Sequence, residues 1–258
     1  MWLKMAAKQG HARAQFHLGD MHKKGVGLTK NYAKAVELFE GAVKQEEAEE
    51  EAVEGPDGDP DEWVFEALKD LGLMYREGIG VKQSYARAAE CWEKAAERGS
   101  EEMQFTVGGL YQYGEMVEQN FEKAVEWYEK AAEQRNANAQ LNLGFMYRTG
   151  KGVEQSFEKA AEWWKKAAEQ GIADAQYNLA LAYKYGEGVE QSNERTIELY
   201  EKAAKQGQAN AQLYLGKMYD EGDGVKQSHS KATKWYAMAA KQGKEEAQAR
   251  LDQMAPSL

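Results

Sequence analysis

A glycine recurs along this chain every 36 residues, at Gly72, Gly108, Gly144 and Gly216, with Ala180 in the remaining slot. A tyrosine keeps the same step at Tyr75, Tyr111, Tyr147, Tyr183 and Tyr219. So does a large aromatic at Trp92, Tyr128, Trp164, Tyr200 and Tyr236. A fixed period of this length predicts a stack of supersecondary units rather than one globular core. Within Ala139–Gly171 the unit reads as two helices. The first runs from about Asn138 to Arg148, with Leu143, Gly144 and Tyr147 on one face, and Gly150 and Gly152 end it. Ser156 is placed to cap the second helix, which carries Ala160, Trp163, Trp164, Ala167 and Ala168 at helical spacing and stops at Gly171. Glycine within a helix is about 1 kcal/mol worse than alanine. Its recurrence predicts that two helix backbones approach there, with aromatics filling the space between hairpins.

The fold expected is therefore all-α: a right-handed α-solenoid of about six antiparallel hairpins, with a half-repeat at each end. Trp2, Met5, Ala6, Ala7 and Gly10 match Trp235, Met238, Ala239, Ala240 and Gly243, so the chain opens inside a second helix. The pattern makes 1–258 a single repeat domain. Residues 1–44 hold the half-repeat and first hairpin, and 63–243 hold five hairpins in strict register. Residues 244–258 are a capping half-repeat and tail, in which Asp252 stands in the glycine slot. Between them, 45–62 breaks the period: Gly19 to Gly72 is 53 residues. This stretch holds ten acidic residues, no basic ones, and Pro56 and Pro60, and is expected to be a disordered or loosely helical acidic insertion.

That insertion accounts for the net charge of −10; the rest of the chain is balanced at 33 acids and 33 bases. It lacks the basic excess that nucleic-acid binding by counterion release requires. No stretch is apolar enough to span a bilayer. One cysteine, Cys91, excludes a disulfide framework and suits a reducing compartment, so a cytoplasmic location is expected. Cys91 stands where other copies have Leu38, Trp127, Trp163, Leu199 and Trp235, which makes it an apolar filler rather than a nucleophile. The Gly-x-Gly loops follow helices, whereas a dinucleotide loop follows a strand. His17 and His22 are five apart, off one helical face, and Asp57, Asp59 and Asp61 only imitate the start of a calcium loop. No catalytic group, metal or cofactor is expected.

The pattern A-x-x-x-LG-x-x-Y-x-x-G-x-GV…A-x-x-W-x-x-AA-x-x-G resembles the Sel-one-like repeat, a relative of the tetratricopeptide repeat. The resemblance covers nearly the whole chain. It implies a noncatalytic adaptor or scaffold that binds a partner peptide or domain. One cysteine-rich bacterial branch has been linked to penicillin binding, and this chain departs from it in having only Cys91. A hydrolase of that kind, or a structural subunit of a larger assembly, are the alternatives.

By analogy with tetratricopeptide stacking, first helices line a concave groove. The residues then expected to face a partner are Phe105, Gln112 and Tyr113; Asn138, Leu141, Asn142 and Arg148; Asp174, Tyr177, Asn178, Lys184 and Tyr185; and Asn210, Leu213, Lys217 and Asp220. Tyr113, Tyr177 and Tyr185 are the expected anchors. Asn142 and Asn178 are expected to pair with a ligand backbone, and Arg148 and Lys184 to favour an acidic group.

Overall fold

The computed structural model describes residues 2–52 and 62–254, and every regular element among them is an α-helix. In order these are α1 (Trp2–Lys8), α2 (Ala12–Lys24), α3 (Tyr32–Ala52), α4 (Glu62–Glu77), α5 (Tyr85–Glu97), α6 (Glu101–Tyr113) and α7 (Phe121–Glu133). There follow α8 (Ala137–Thr149), α9 (Phe157–Glu169), α10 (Ala173–Tyr185), α11 (Asn193–Lys205), α12 (Ala209–Glu221), α13 (His229–Lys241) and α14 (Glu245–Met254). They pair as hairpins from α2–α3 to α12–α13, and within each unit every hairpin packs on its neighbours in sequence. The repeat solenoid expected from the period is therefore present.

By packing the chain divides into two compact units, Met1–Gln134 and Arg135–Leu258. A stack has no core common to all its hairpins, so its packing resolves into local ones. In the first unit Phe39, Val64, Leu68, Trp92 and Val107 are buried together. In the second, Tyr200, Leu215 and Tyr236 are buried together. The acidic stretch, expected to be disordered or loosely helical, begins as regular helix. Helix α3 runs on to Ala52, and Glu47 pairs with Lys94 of α5 at 3.1 Å. Glutamate and alanine are good helix formers, and that ion pair gives the extra turns something to lie against. Asp57, Asp59 and Asp61 lie outside the described residues.

Local signals act as the sequence implies. Ser84, Asn120, Ser156, Ser192 and Ser228 each accept from the backbone N–H three residues on, capping the second helices. Gly150 ends α8 at φ +67°, in the left-handed region. The helix glycine has a different role from the one expected. It does not let two backbones meet; it makes room for the aromatic of its own hairpin. A Cβ at Gly108 would lie 2.6 Å from the Tyr128 ring, and one at Gly144 would overlap Trp164. Close backbone approach occurs instead at the second loop glycine. A methyl at Gly80 would strike the backbone of Tyr32, and one at Gly188 that of Phe157.

Buried glutamines join the helices. Gln104, Gln176 and Gln212 donate to the carbonyls of Ala96, Ala168 and Ala204 at 3.0, 3.3 and 3.0 Å. Each amide oxygen accepts from the glutamine that closes the hairpin. Gln134 reaches Gln104 at 2.9 Å, Gln206 reaches Gln176 at 2.9 Å, and Gln242 reaches Gln212 at 2.8 Å. Gln170 and Gln140 repeat the pair at 2.8 Å. One side chain thus ties a first helix to the second helix before it and the second helix after it. Its polar atoms are satisfied where they are buried.

Candidate functional site

The periodic tyrosine is more than packing. Tyr75 donates its hydroxyl to Glu40, while Arg87 sits over the ring at 5.0 Å and pairs with Glu40 at 3.2 Å. Tyr111 donates to Glu93 at 2.5 Å with Lys123 over its ring, and Tyr219 donates to Glu201 at 3.3 Å with Lys231 over its ring. Each such set stitches consecutive second helices together. Burial, and then the bond to Glu40, push the Tyr75 phenol up to about 12. These groups are committed to structure.

The residues expected to face a partner fall into three groups. The first is engaged in packing. Phe105 is half-buried with its ring centroid 5.8 Å from that of Tyr128, and Gln112 accepts from the Tyr128 hydroxyl at 2.6 Å. Asn178 is buried and donates to the carbonyl of Asp174 at 2.6 Å, so it is not offered to a ligand backbone. Leu213 is buried as well. Asp220 meets His229 at 3.0 Å.

The second group is the cations, and each has an acid partner. Arg148 donates to Glu187 at 3.2 Å, Lys184 lies 3.8 Å from Asp223, and Lys217 lies 2.6 Å from Glu246. The first two pairs occupy the same repeat slots, one step apart. They tie a first helix to the loop of the following hairpin, and leave less free positive charge for an acidic ligand than expected.

The third group is accessible. Tyr113 and Tyr185 are 64% and 58% exposed, and Asn138 and Asp174 are exposed. Leu141, Asn142 and Asn210 are half-buried.

In the second unit the structure gathers a cluster that the sequence pattern does not single out. Tyr214 of α12 stacks on Tyr200 of α11, with centroids 5.7 Å apart and planes 8° from parallel. Tyr177 of α10 lies 5.8 Å from Tyr200 and 6.1 Å from Tyr214. Lys184 and Lys217 stand over the Tyr214 ring at 5.5 and 5.3 Å, and Lys184 also approaches Tyr185 at 5.9 Å. Burial and the neighbouring hydroxyls of Tyr214 and Tyr185 push the Tyr177 phenol up to about 12. The Tyr200 phenol is raised too, mainly by burial, and its hydroxyl has no hydrogen-bond partner. Tyr177 and Tyr200 are therefore neutral near neutral pH. Tyr214 occupies the slot of Asn142 and Asn178, and only the change of residue type within that slot marks it in the sequence.

Cys91 is half-buried, and burial pushes its thiol up to about 12, so it is protonated near neutral pH. Among the described residues no three His, Cys, Asp or Glu side chains converge to hold a metal. No described helix is long and apolar enough to cross a membrane.

Comparison with known proteins agrees with this architecture. The Sel1 repeat matches residues 1–11, 12–46, 65–100, 102–136, 137–172, 173–208 and 209–244. The chain belongs to the Sel1 repeat family, whose members generally mediate protein–protein interaction. Among solved structures it is similar to c5321, described as a protective antigen of uropathogenic Escherichia coli with an SLR fold. The identity is 34% and the TM-score 0.77, over 97% of this chain and 50% of c5321. This chain thus spans about half the length of that relative. It is also similar to a Sel1 repeat protein from Oxalobacter formigenes, at 27% identity and TM-score 0.62, over 90% of this chain and 86% of that one. No curated protein gives a match.

Proposed function

We propose that this chain is a noncatalytic scaffold that binds a partner protein through the first-helix face of its second unit. The observation that carries the reading is the tyrosine cluster of Tyr177, Tyr200 and Tyr214, with exposed Tyr185 and Lys184 beside it. Rigid aromatics supply contact area at low entropic cost; buried Tyr200 backs the cluster, and the hydroxyls of Tyr177, Tyr185 and Tyr214 serve an extended peptide backbone. Asn142 and Asn210 lie on the same helix faces and extend the polar contacts. Because the cations already have acids, the partner segment suited to this face is neutral overall rather than strongly acidic. Under the same reading the protein works in the cytoplasm, which a lone cysteine suits.

The test begins with affinity capture from cells, followed by calorimetry with the purified partner. Tyr185→Ala with Lys217→Ala should leave the melting temperature within a few degrees and weaken binding at least tenfold, as hot-spot losses of about 2 kcal/mol imply. An unchanged affinity in the folded double variant would move the site off this face.

A further inference from the structure

In the second helices, the position just before the packed aromatic is occupied by Trp127, Trp163 and Trp235 in three hairpins, by Leu38 and Leu199 in two, and by Cys91 in α5. Three residues further on stand Lys94, Lys130, Lys166 and Lys202. In two of the three tryptophan slots a lysine lies over the indole, Lys130 at 4.0 Å from Trp127 and Lys166 at 3.8 Å from Trp163, while Trp235 is followed by Met238. Where it holds Leu199, Lys202 turns away to Glu198 at 2.8 Å. At Cys91 the lysine also has no ring to cover, and Lys94 reaches Glu47 at 3.1 Å. The lysine follows the ring.

Replacing an indole by a thiol also leaves space. A cleft of about 520 Å³ opens beside Cys91, floored by Leu68 and Leu71 and rimmed by Glu40, Arg87 and Lys94. The equivalent cleft in the second unit is lined by Trp235, with Met238 in the lysine slot, and is smaller, at about 380 Å³. The hairpins thus serve as internal comparisons, and they identify what fits: a flat aromatic ring under a lysine.

We propose that this cleft receives a tryptophan side chain from a partner protein, which supplies from outside the ring that Trp127 and Trp163 supply from within. The complementarity is electrostatic as well as steric. Lys94 swings from Glu47 to the negative face of the indole, a contact worth more as it is desolvated. The ring body covers the leucine floor. The indole N–H, a donor only, finds carboxylate acceptors at the rim in Glu40 and Glu47. This site lies in the first unit and is independent of the tyrosine surface, so either proposal can fail alone.

The probe is N-acetyl-5-fluorotryptophanamide, followed by fluorine NMR with the full chain at millimolar ligand. The wild-type protein should broaden and shift the fluorine resonance, and equal N-acetylleucinamide should not displace the probe. Cys91→Trp narrows the cleft from within and occupies the place beneath Lys94, and should weaken binding at least tenfold. Lys94→Met, a rim change that circular dichroism should show to be fully folded, should weaken it at least threefold. No broadening by the wild type, or either folded variant binding the probe as the wild type does, overturns the proposal. If Cys91→Trp does not fold, Lys94→Met decides the matter alone.

Discussion

Hairpins α4–α5 and α10–α11 are built on one pattern and solve the same packing problem differently. In α10–α11 the seam is polar: Gln176 bridges Ala168 and Gln206. In α4–α5 the equivalent positions are Leu68, which is buried, and Arg98, which lies 4.0 Å from Glu47. The reason is upstream. Ala168 sits in the last turn of α9, where its carbonyl accepts the Gly171 N–H at 3.0 Å from just past the helix rather than a bond of the helical ladder, and can also accept from a glutamine. Before α4 the corresponding residue is Val43, and α3 continues past it to Ala52. The Val43 carbonyl is used within the helix, so a glutamine at position 68 would be left without its acceptor. A longer second helix thus dictates an apolar residue in the next hairpin and hands its tie to an ion pair with Glu47. The lesson is that each repeat position answers to the end of the neighbouring helix, not to its own hairpin alone.

The two hairpins also differ at the helix glycine, and the largest effect is expected there. A methyl at Gly72 would overlap the Trp92 indole, whose buried ring is 3% exposed and has nowhere to move. Gly72→Ala should cost about 3 kcal/mol, the upper part of the overpacking range. Ala180→Gly, under Tyr200, should cost about 1 kcal/mol, from helix propensity. Urea titrations of the two variants measure the difference. Equal losses would mean that the aromatic does not set the slot.

This slot shows how far the sequence could be read. Its period predicts the hairpins, the caps at Ser84 and Ser156, and the left-handed loop glycines, because those depend on residues within a few positions of one another. The neighbour that the glycine serves is a side chain about 20 residues away, and periodicity does not distinguish a ring from a backbone. The glutamine seam was illegible for the same reason. Gln176 and Gln206 are 30 residues apart, and each alone looks like a solvated polar residue. At the candidate site, Asn178 looked available because helical position was taken to fix exposure. Its short amide instead turns back on its own helix, and Tyr214 in the same slot reaches the neighbouring ring. The extension of α3 was hidden by composition, since a run of glutamates reads equally well as a repelling coil or as a helix with one good ion pair.

Exchanging the seam residues sharpens the comparison. Gln176→Leu leaves the Gln206 amide with a lost partner, and Leu68→Gln buries an amide without one. Leu68→Gln should cost about 2 kcal/mol, within the range for an unsatisfied buried polar group, and Gln176→Leu about 1 kcal/mol, the net value of a hydrogen bond, because Gln206 is exposed and the Ala168 carbonyl keeps the Gly171 N–H. Deleting Glu46–Glu62 should restore the 36-residue step, end α3 near Val43 and free its carbonyl. In that background Leu68→Gln with Arg98→Gln should be neutral or stabilising. If the substitutions remain as harmful as in the full chain, helix length is not what selects leucine.

The smallest effect concerns the periodic tyrosine. Tyr75 donates to Glu40, whereas the slot that would serve Tyr183 holds Lys165, a donor with no acceptor to offer. Tyr75→Phe should therefore cost about 1 kcal/mol near pH 8, the typical net value of one hydrogen bond, since Glu40 keeps Arg87. Tyr183→Phe should change stability by less than about 0.5 kcal/mol, as expected where no specific interaction is removed. The first loss carries its own pH signature. In the folded chain the Tyr75 phenol is pushed up to about 12 from its ordinary value of 10.0, because burial and the bond to Glu40 disfavour the phenolate. A raised value means that the unfolded chain gives up this proton first. The stabilisation is then complete below pH 10 and fades as pH rises toward 12. The gap between wild type and Tyr75→Phe, followed by urea midpoints from pH 8 to 11.5, should stay constant to about pH 10 and then shrink. A gap that is flat across the whole range would show that Tyr75 stabilises by packing alone, as Tyr183 does.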